Sequence, residues 1–157
     1  MSQTAVYHTT VSWKGAHWGH VVMGNGPEMP FSAPPDAKGH PGVLTPEDAF
    51  VAAINTCVMM MFLWACERYK LDLLSYDCRA EGTKLIELDR TEIFTDVVLR
   101  PRIRVCAGGE RPEIVQARVR KALQSAQKYS LVANSIKSKL HIEPDVELVD
   151  ERELIPG

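Results

Sequence analysis

The longest apolar stretch of the chain, residues 49–65, restricts the folds that the sequence can adopt. Thr45 and Pro46 precede it and are typical of the N-cap and the first position of a helix, and two acids follow in the first turn. Polar residues return near residue 70, where we expect the helix to end. Because the stretch is apolar nearly all round, the pattern predicts burial on most sides. In a small domain this favours a second covering layer, for example a partner subunit.

The flanking segments predict an α+β domain. In chain order they are strands at 4–13, about 19–24 and 28–32, a loop at 33–43, the first helix, hairpin strands at 73–88 and 92–106, a helix at 112–129, a helical turn at 131–136 and a strand at 138–149. Pro101 fits an edge position or a bulge. The order βββ-α-ββ-α-β predicts a single domain over residues 1–157.

Composition is that of an ordinary soluble protein. The 157 residues are 45% hydrophobic and 24% charged, with a net charge of −2. This charge excludes a broad basic surface, so we expect no nucleic-acid partner. The first eleven residues lack a signal-peptide core, and Asn55 and Thr56 interrupt the nearest approach to the ~18 apolar residues of a membrane span. We therefore expect a cytoplasmic protein with no membrane partner.

The four cysteines, Cys57, Cys66, Cys78 and Cys106, form no CxxC pair and no zinc-ligand spacing. Free thiols are favoured over a disulfide framework, and we expect no metal and no cofactor. Cys78 and Cys106 fall on the two hairpin strands and could face each other.

Cys57 has two interpretations. It is either an inert cysteine of the core or a reactive thiol, which would need a cation, a helix N-terminus or hydrogen-bond donors to favour its thiolate. It lies twelve residues beyond Thr45, too far from the helix N-terminus to be influenced much by the dipole. A cation from elsewhere would be needed. His17, in the turn after the first strand, could supply it, or could be an ordinary surface histidine.

Glu47 either only complements the helix dipole or belongs to a site with Cys57. The ten residues between them correspond to about 15 Å of helix rise, so the two side chains cannot touch within one helix. They share a site only if two copies of the helix pack together and Glu47 comes from the partner chain.

The apolar surroundings of Cys57 are also open to two interpretations. Met59, Met60 and Met61, with Phe62 and Trp64, form either plain core or a pocket for an apolar substrate. We predict that Met61 and Phe50 contact such a substrate. His40, in the loop at 33–43, is a loop residue that could line the mouth of the pocket.

Several segments together resemble the OsmC/Ohr family, named for osmotically inducible protein C and organic hydroperoxide resistance protein. The most specific is Gly39-His40-Pro41-Gly42-Val43-Leu44-Thr45-Pro46-Glu47-Asp48, continued to Cys57; residues 97–103 and 129–136 resemble later parts. The resemblance implies an intertwined homodimer with two long central helices wrapped by antiparallel sheets. It also implies thiol-based reduction of hydroperoxides, preferably organic ones, at sites built from both subunits.

By this resemblance Cys57 matches the peroxidatic cysteine and Glu47 the acid that orients the site. Two positions depart from the family pattern. Ser130 stands where the family has its resolving cysteine, and His17 where Ohr-type members have an arginine. The first departure argues against an intramolecular disulfide and for an external thiol reductant. The second means that the cation would be present only when the histidine is protonated.

Three functions follow. The leading hypothesis is a thiol peroxidase of oxidative-stress defence that uses Cys57 alone and forms a sulfenic acid. The alternative is a non-catalytic dimer of the same fold that binds a small hydrophobic ligand at the subunit interface. A third hypothesis, acyl transfer with His17 as base, lacks an oxyanion site in the sequence.

Overall fold

The computed structural model describes residues 2–150 as two compact units that divide between Phe50 and Val51. The mixed α+β class predicted from the sequence is confirmed. A single domain over the whole chain stays a prediction.

The first unit contains a three-stranded antiparallel sheet in the order β1-β2-β3. Its strands are β1 (Thr9–Trp13), β2 (Trp18–Met23) and β3 (Glu28–Ser32), and a short 3-10 helix follows at Pro35–Ala37. β1 is shorter than the predicted strand at 4–13. Its first residue, Thr9, pairs with Met23 at the end of β2, where the chain turns, so residues before Thr9 have no strand opposite them.

The first helix, α1 (Pro46–Arg68), begins as predicted and ends slightly earlier. Thr45 Oγ1 accepts the Asp48 N–H at 3.1 Å and so caps the helix. At the other end Lys70 adopts a left-handed φ of 56°, and the Leu71 N–H donates to the Cys66 carbonyl at 2.9 Å. This Schellman arrangement stops the helix before residue 70.

α1 buries one face only, and the expectation of burial on most sides is wrong for the single chain. Its buried residues are Ile54, Val58, Phe62, Ala65 and Cys66. Met60 and Trp64, on the other side, are 43% and 52% exposed. An 18-residue window of α1 is also apolar enough to cross a membrane, contrary to the expectation from the sequence, although core helices of soluble proteins meet the same criterion.

The second unit is built on a four-stranded sheet. Its strands are β4 (Asp72–Ile86), β5 (Glu92–Cys106), β6 (Lys139–Ile142) and β7 (Asp145–Val149). β5 pairs antiparallel with β4 and parallel with both β6 and β7, so this sheet is mixed rather than purely antiparallel. The helices are α2 (Pro112–Tyr129), whose apolar stripe is buried, and the single turn α3 (Leu131–Asn134).

Pro101 lies in a central strand, not at an edge or bulge. β6 pairs with β5 as far as Leu99 and β7 pairs from Arg102, so Pro101 lies beside the gap between them. A residue without an N–H is tolerated there because the ladder is already interrupted. The predicted last strand at 138–149 is correspondingly split in two.

The register of the hairpin separates its two cysteines. Cys78 lies opposite Pro101, and Cys106 lies opposite Asp72. The possibility that the two thiols face each other is therefore wrong. All four cysteines are free.

A matched pair of leucines tests the position of the core. Leu99 on β5 is fully buried, whereas Leu88 in the β4–β5 turn is fully exposed. Leu99→Ala should lower the free energy of unfolding by about 2–5 kcal/mol, since it leaves a cavity. Leu88→Ala should change it by less than about 0.5 kcal/mol. Denaturant titration of both variants measures the difference; equal effects would contradict this core.

Candidate functional site

The sulfur of Cys57 on α1 contacts the side chain of Ser130. The Ser130 hydroxyl donates a hydrogen bond to Cys57 Sγ at an Oγ–Sγ distance of 3.1 Å. Cys57 is half-buried, and Ser130 has no exposed surface. The residue before Ser130, Tyr129, is the last of α2, so this hydrogen bond links the end of α2 to the middle of α1.

Local structure fixes the Ser130 side chain. Ser130 has extended backbone angles (φ −69°, ψ 116°) and is the N-cap of α3. Its Oγ accepts the Ala133 N–H at 3.2 Å. Serine is a favoured N-cap because its short side chain reaches these amides, so the local sequence alone accounts for the orientation of the oxygen.

The residues one turn before and after Cys57 on α1 are apolar (Ala53, Ile54, Met60 and Met61). The next residue, Val58, is fully buried, and Met61, one turn further, is half-buried. No ionisable residue lies on α1 between Asp48 and Cys66. The hydrogen bond to the sulfur comes from a different element, through the hydroxyl of Ser130.

Two of the other cysteines, Cys66 and Cys78, have raised pKa values. Burial, followed by the charge of Glu67, raises the pKa of the Cys66 thiol from 9.0 to about 12. Burial also raises the pKa of Cys78. Cys66 and Cys78 are therefore thiols, not thiolates, at neutral pH.

Glu47 is the second residue of α1 and is half-buried. Its Oε2 atom is inaccessible to solvent and has no hydrogen-bond partner among residues 2–150. An unpaired buried carboxylate oxygen costs free energy, and such atoms in folded proteins usually have a donor. The described part of the chain does not provide one.

His17 lies in the turn between β1 and β2 and is exposed. Its Nδ1 is 3.0 Å from the Lys38 carbonyl oxygen. A carbonyl only accepts hydrogen bonds, so Nδ1 carries the proton, and Nε2 is the atom that binds or releases a proton. His17 also lines a cavity of about 290 Å³ with Trp13, Trp18 and Phe31.

His40 is held by its loop as well as by its ring. The ring stacks on Trp18 with centroids 4.0 Å apart and an interplanar angle of 11°. Its backbone N–H donates to Oγ of the buried Ser32 at 3.0 Å. No sequence pattern predicts these partners, because they depend on how the loop at 33–43 packs within the first unit.

A second cavity of the first unit, of about 160 Å³, is lined almost entirely by apolar groups. Its walls include Val11, Val21, Met23, Phe31, Leu44 and Ala49. Phe50, the residue after Ala49, is half-buried. The first unit thus contains an apolar recess beside the start of α1, which the sequence did not predict.

The structure brings together some of the predicted site residues. Cys57 contacts Ser130 in the second unit, with Met61 one turn away. In the first unit, His17 and His40 are both held near the loop at 33–43, and Glu47 and Phe50 lie at the start of α1. Within residues 2–150 no group of three or more His, Cys, Asp or Glu side chains could hold a metal ion.

Comparisons with known proteins agree with this architecture. An OsmC-like protein of unknown function from Vibrio cholerae has a TM-score of 0.79 and 24% identity, over 90% of this chain and 100% of that one. An organic hydroperoxide resistance protein from Elizabethkingia anophelis has a TM-score of 0.70 and 18% identity, over 95% and 100%. A Legionella pneumophila protein, described as an organic hydroperoxide resistance protein OsmC, has values of 0.63 and 17%, over 91% and 98%.

No curated protein sequence matches the chain. At the level of sequence families, the OsmC-like protein family matches residues 39–145, which is more than half of the chain. The chain therefore belongs to the OsmC-like protein family.

Proposed function

We propose that this protein reduces organic hydroperoxides in the cytoplasm, with Cys57 as the nucleophile and an external thiol as the reductant. The observation that carries the proposal is the half-buried Cys57 sulfur, which receives a hydrogen bond from a fully buried hydroxyl at 3.1 Å. A sulfur with a fixed donor and an otherwise apolar environment suits attack on a neutral, apolar peroxide.

Family membership and the names of its structural neighbours support a general role in peroxide stress. Proteins of the OsmC/Ohr family are soluble, generally dimeric, and act on hydroperoxides. The specific chemistry proposed for this chain goes further than these comparisons and depends on its own residues.

The proposed cycle consumes one hydroperoxide and two thiols. The Cys57 thiolate attacks one peroxide oxygen, the O–O bond breaks, and the leaving alkoxide takes a proton to become an alcohol. Cys57 is then a sulfenic acid. A first external thiol displaces water from it and forms a mixed disulfide. A second thiol attacks that disulfide, releases the external disulfide and restores Cys57.

The raised pKa values of Cys66 and Cys78 support a cycle in which neither takes part. Only a thiolate attacks a sulfenic acid or a disulfide efficiently. Burial holds the pKa of Cys66 at about 12 and raises that of Cys78, so neither supplies much thiolate at neutral pH. With Ser130 beside the sulfur, an external thiol is the natural partner of the oxidised Cys57.

The difference between the thiols is directly testable. In the folded protein, iodoacetamide near neutral pH should alkylate Cys57 well before Cys66. Cys66 is buried, and its pKa of about 12 leaves about a thousandfold less thiolate than the ordinary value of 9.0. Peptide mass spectrometry after timed labelling measures both rates. In denaturant, Cys66 should be alkylated at the rate of an ordinary thiol. Comparable alkylation rates for Cys57 and Cys66 in the folded protein would contradict the raised pKa of Cys66.

A second subunit would complete the site. Glu47 cannot reach Cys57 along its own helix, because ten residues of helix span about 15 Å. Its buried, unpaired Oε2 supports a role that needs a donor from outside the described chain. The exposed apolar side chains of α1, including Met60 and Trp64, support a homodimer in which two copies of this helix are covered by each other.

The remaining site residues have proposed roles in charge and substrate binding. Protonated His17 would stabilise the thiolate through Nε2, since Nδ1 already donates to the Lys38 carbonyl. Met61, Phe50 and His40 would contact the apolar part of the hydroperoxide.

Peroxide consumption tests this proposal. Wild-type protein should consume cumene hydroperoxide in the presence of excess small thiol, and Cys57→Ser should reduce the rate to background. Cys106→Ser is the matched control, since Cys106 lies at the end of β5 and has no role in the cycle. Equal rates in wild type and Cys57→Ser would rule out the proposed nucleophile.

The same assay tests the proposed contributions of Glu47 and His17. Glu47→Gln should lower the rate at every pH. His17→Gln should also lower it, because a neutral amide cannot supply the proposed positive charge. An unchanged rate in His17→Gln would remove the histidine from the mechanism.

A further inference from the structure

Ser130 has a hydroxyl whose only proton points at a sulfur. A serine hydroxyl offers one donor and two acceptor sites. The Ala133 N–H occupies one acceptor site at 3.2 Å, and the proton is directed to Cys57 Sγ at 3.1 Å. Ser130 has no exposed surface, so solvent does not compete for that proton. The N-cap bond and the bond to sulfur therefore hold the hydroxyl in one orientation.

Charged side chains are few in the helical segments that meet at this hydrogen bond. α1 carries no ionisable residue between Asp48 and Cys66, and α3 carries none at all. At the end of α2, Lys128 and Tyr129 are both exposed, and the Lys128 ammonium lies over the Tyr129 ring, 5.1 Å from its centroid. Because Lys128 is exposed, solvent screens the charge of its ammonium group.

We propose that Ser130 is a positioning residue that orients the Cys57 sulfur and stabilises its thiolate with a hydrogen bond. This inference rests on the proposed function and deepens it. Ser130 then has an active role at the site, in addition to replacing the resolving cysteine. When Cys57 loses its proton to solvent, the Ser130 O–H keeps its own proton and donates to an anion instead of a neutral thiol. A hydrogen bond to an ionised partner is the stronger of the two, so the thiolate is favoured.

Alkylation of Cys57 by iodoacetamide across pH tests the inference without any peroxide. The rate at neutral pH, divided by the limiting rate at high pH, gives the thiolate fraction. In Ser130→Ala this fraction should fall about tenfold at neutral pH, while the limiting rate stays the same. Ser130→Thr keeps a hydroxyl and should stay within about twofold of wild type.

Two further variants separate this effect from the loss of a helix cap. Ser130→Gly removes the hydroxyl but is tolerated at an N-cap, so it should match Ser130→Ala in thiolate fraction while folding more readily. Ser135→Ala is the control: Ser135 is an exposed serine just after α3 that donates to Leu131, and its loss should leave the profile of Cys57 unchanged.

Two outcomes would overturn the inference, and a third would distinguish it from the proposed function. A wild-type profile in folded Ser130→Ala or Ser130→Gly would mean that the hydroxyl does not stabilise the thiolate. A profile in Ser130→Thr as low as that of Ser130→Ala would assign the effect to packing. A shifted profile in a protein that consumes no hydroperoxide would refute the proposed function and leave this inference intact.

Discussion

The burial of one face of α1 is the constraint on which the rest of the structure depends. Five side chains of this helix are in the core, and they fix the rotation that directs Cys57 toward the buried Ser130. The same rotation leaves Met60 and Trp64 exposed to solvent. A helix that is apolar all round but covered on one side leaves an apolar surface exposed. This surface supports the proposed homodimer, in which a second copy of the helix covers it.

The packing of α1 allows Ser130 to donate a hydrogen bond to the sulfur of Cys57. An isolated thiol inside an apolar core favours its neutral form, as Cys66 does on the same helix. Cys57 differs from Cys66 in that the buried Ser130 hydroxyl donates a hydrogen bond to its sulfur. Two cysteines nine residues apart on α1 thus have different environments: Cys66 is buried beside Glu67, and Cys57 accepts a hydrogen bond from Ser130.

Local signals in the sequence were enough to predict the two long helices and to place Cys57 in the middle of the first one. Thr45 and Pro46 marked the start of α1, and the amphipathic spacing marked α2, because caps and periodicity act over a few residues. The start of β1, the split of the last strand at β6 and β7, and the central position of Pro101 depend on how the strands pair. The Ser130 hydrogen bond, the Trp18–His40 stack and the unpaired Glu47 oxygen likewise arise only when separate segments meet.

The central claim is that Cys57 is oxidised by an organic hydroperoxide and holds that oxidation without a partner thiol in its own chain. The most direct measurement is mass spectrometry of the protein after one equivalent of cumene hydroperoxide and a sulfenic-acid trap such as dimedone. The account predicts one trap adduct, on Cys57, and no intramolecular disulfide. An unmodified Cys57, or a disulfide between Cys57 and another cysteine of the chain, would contradict it.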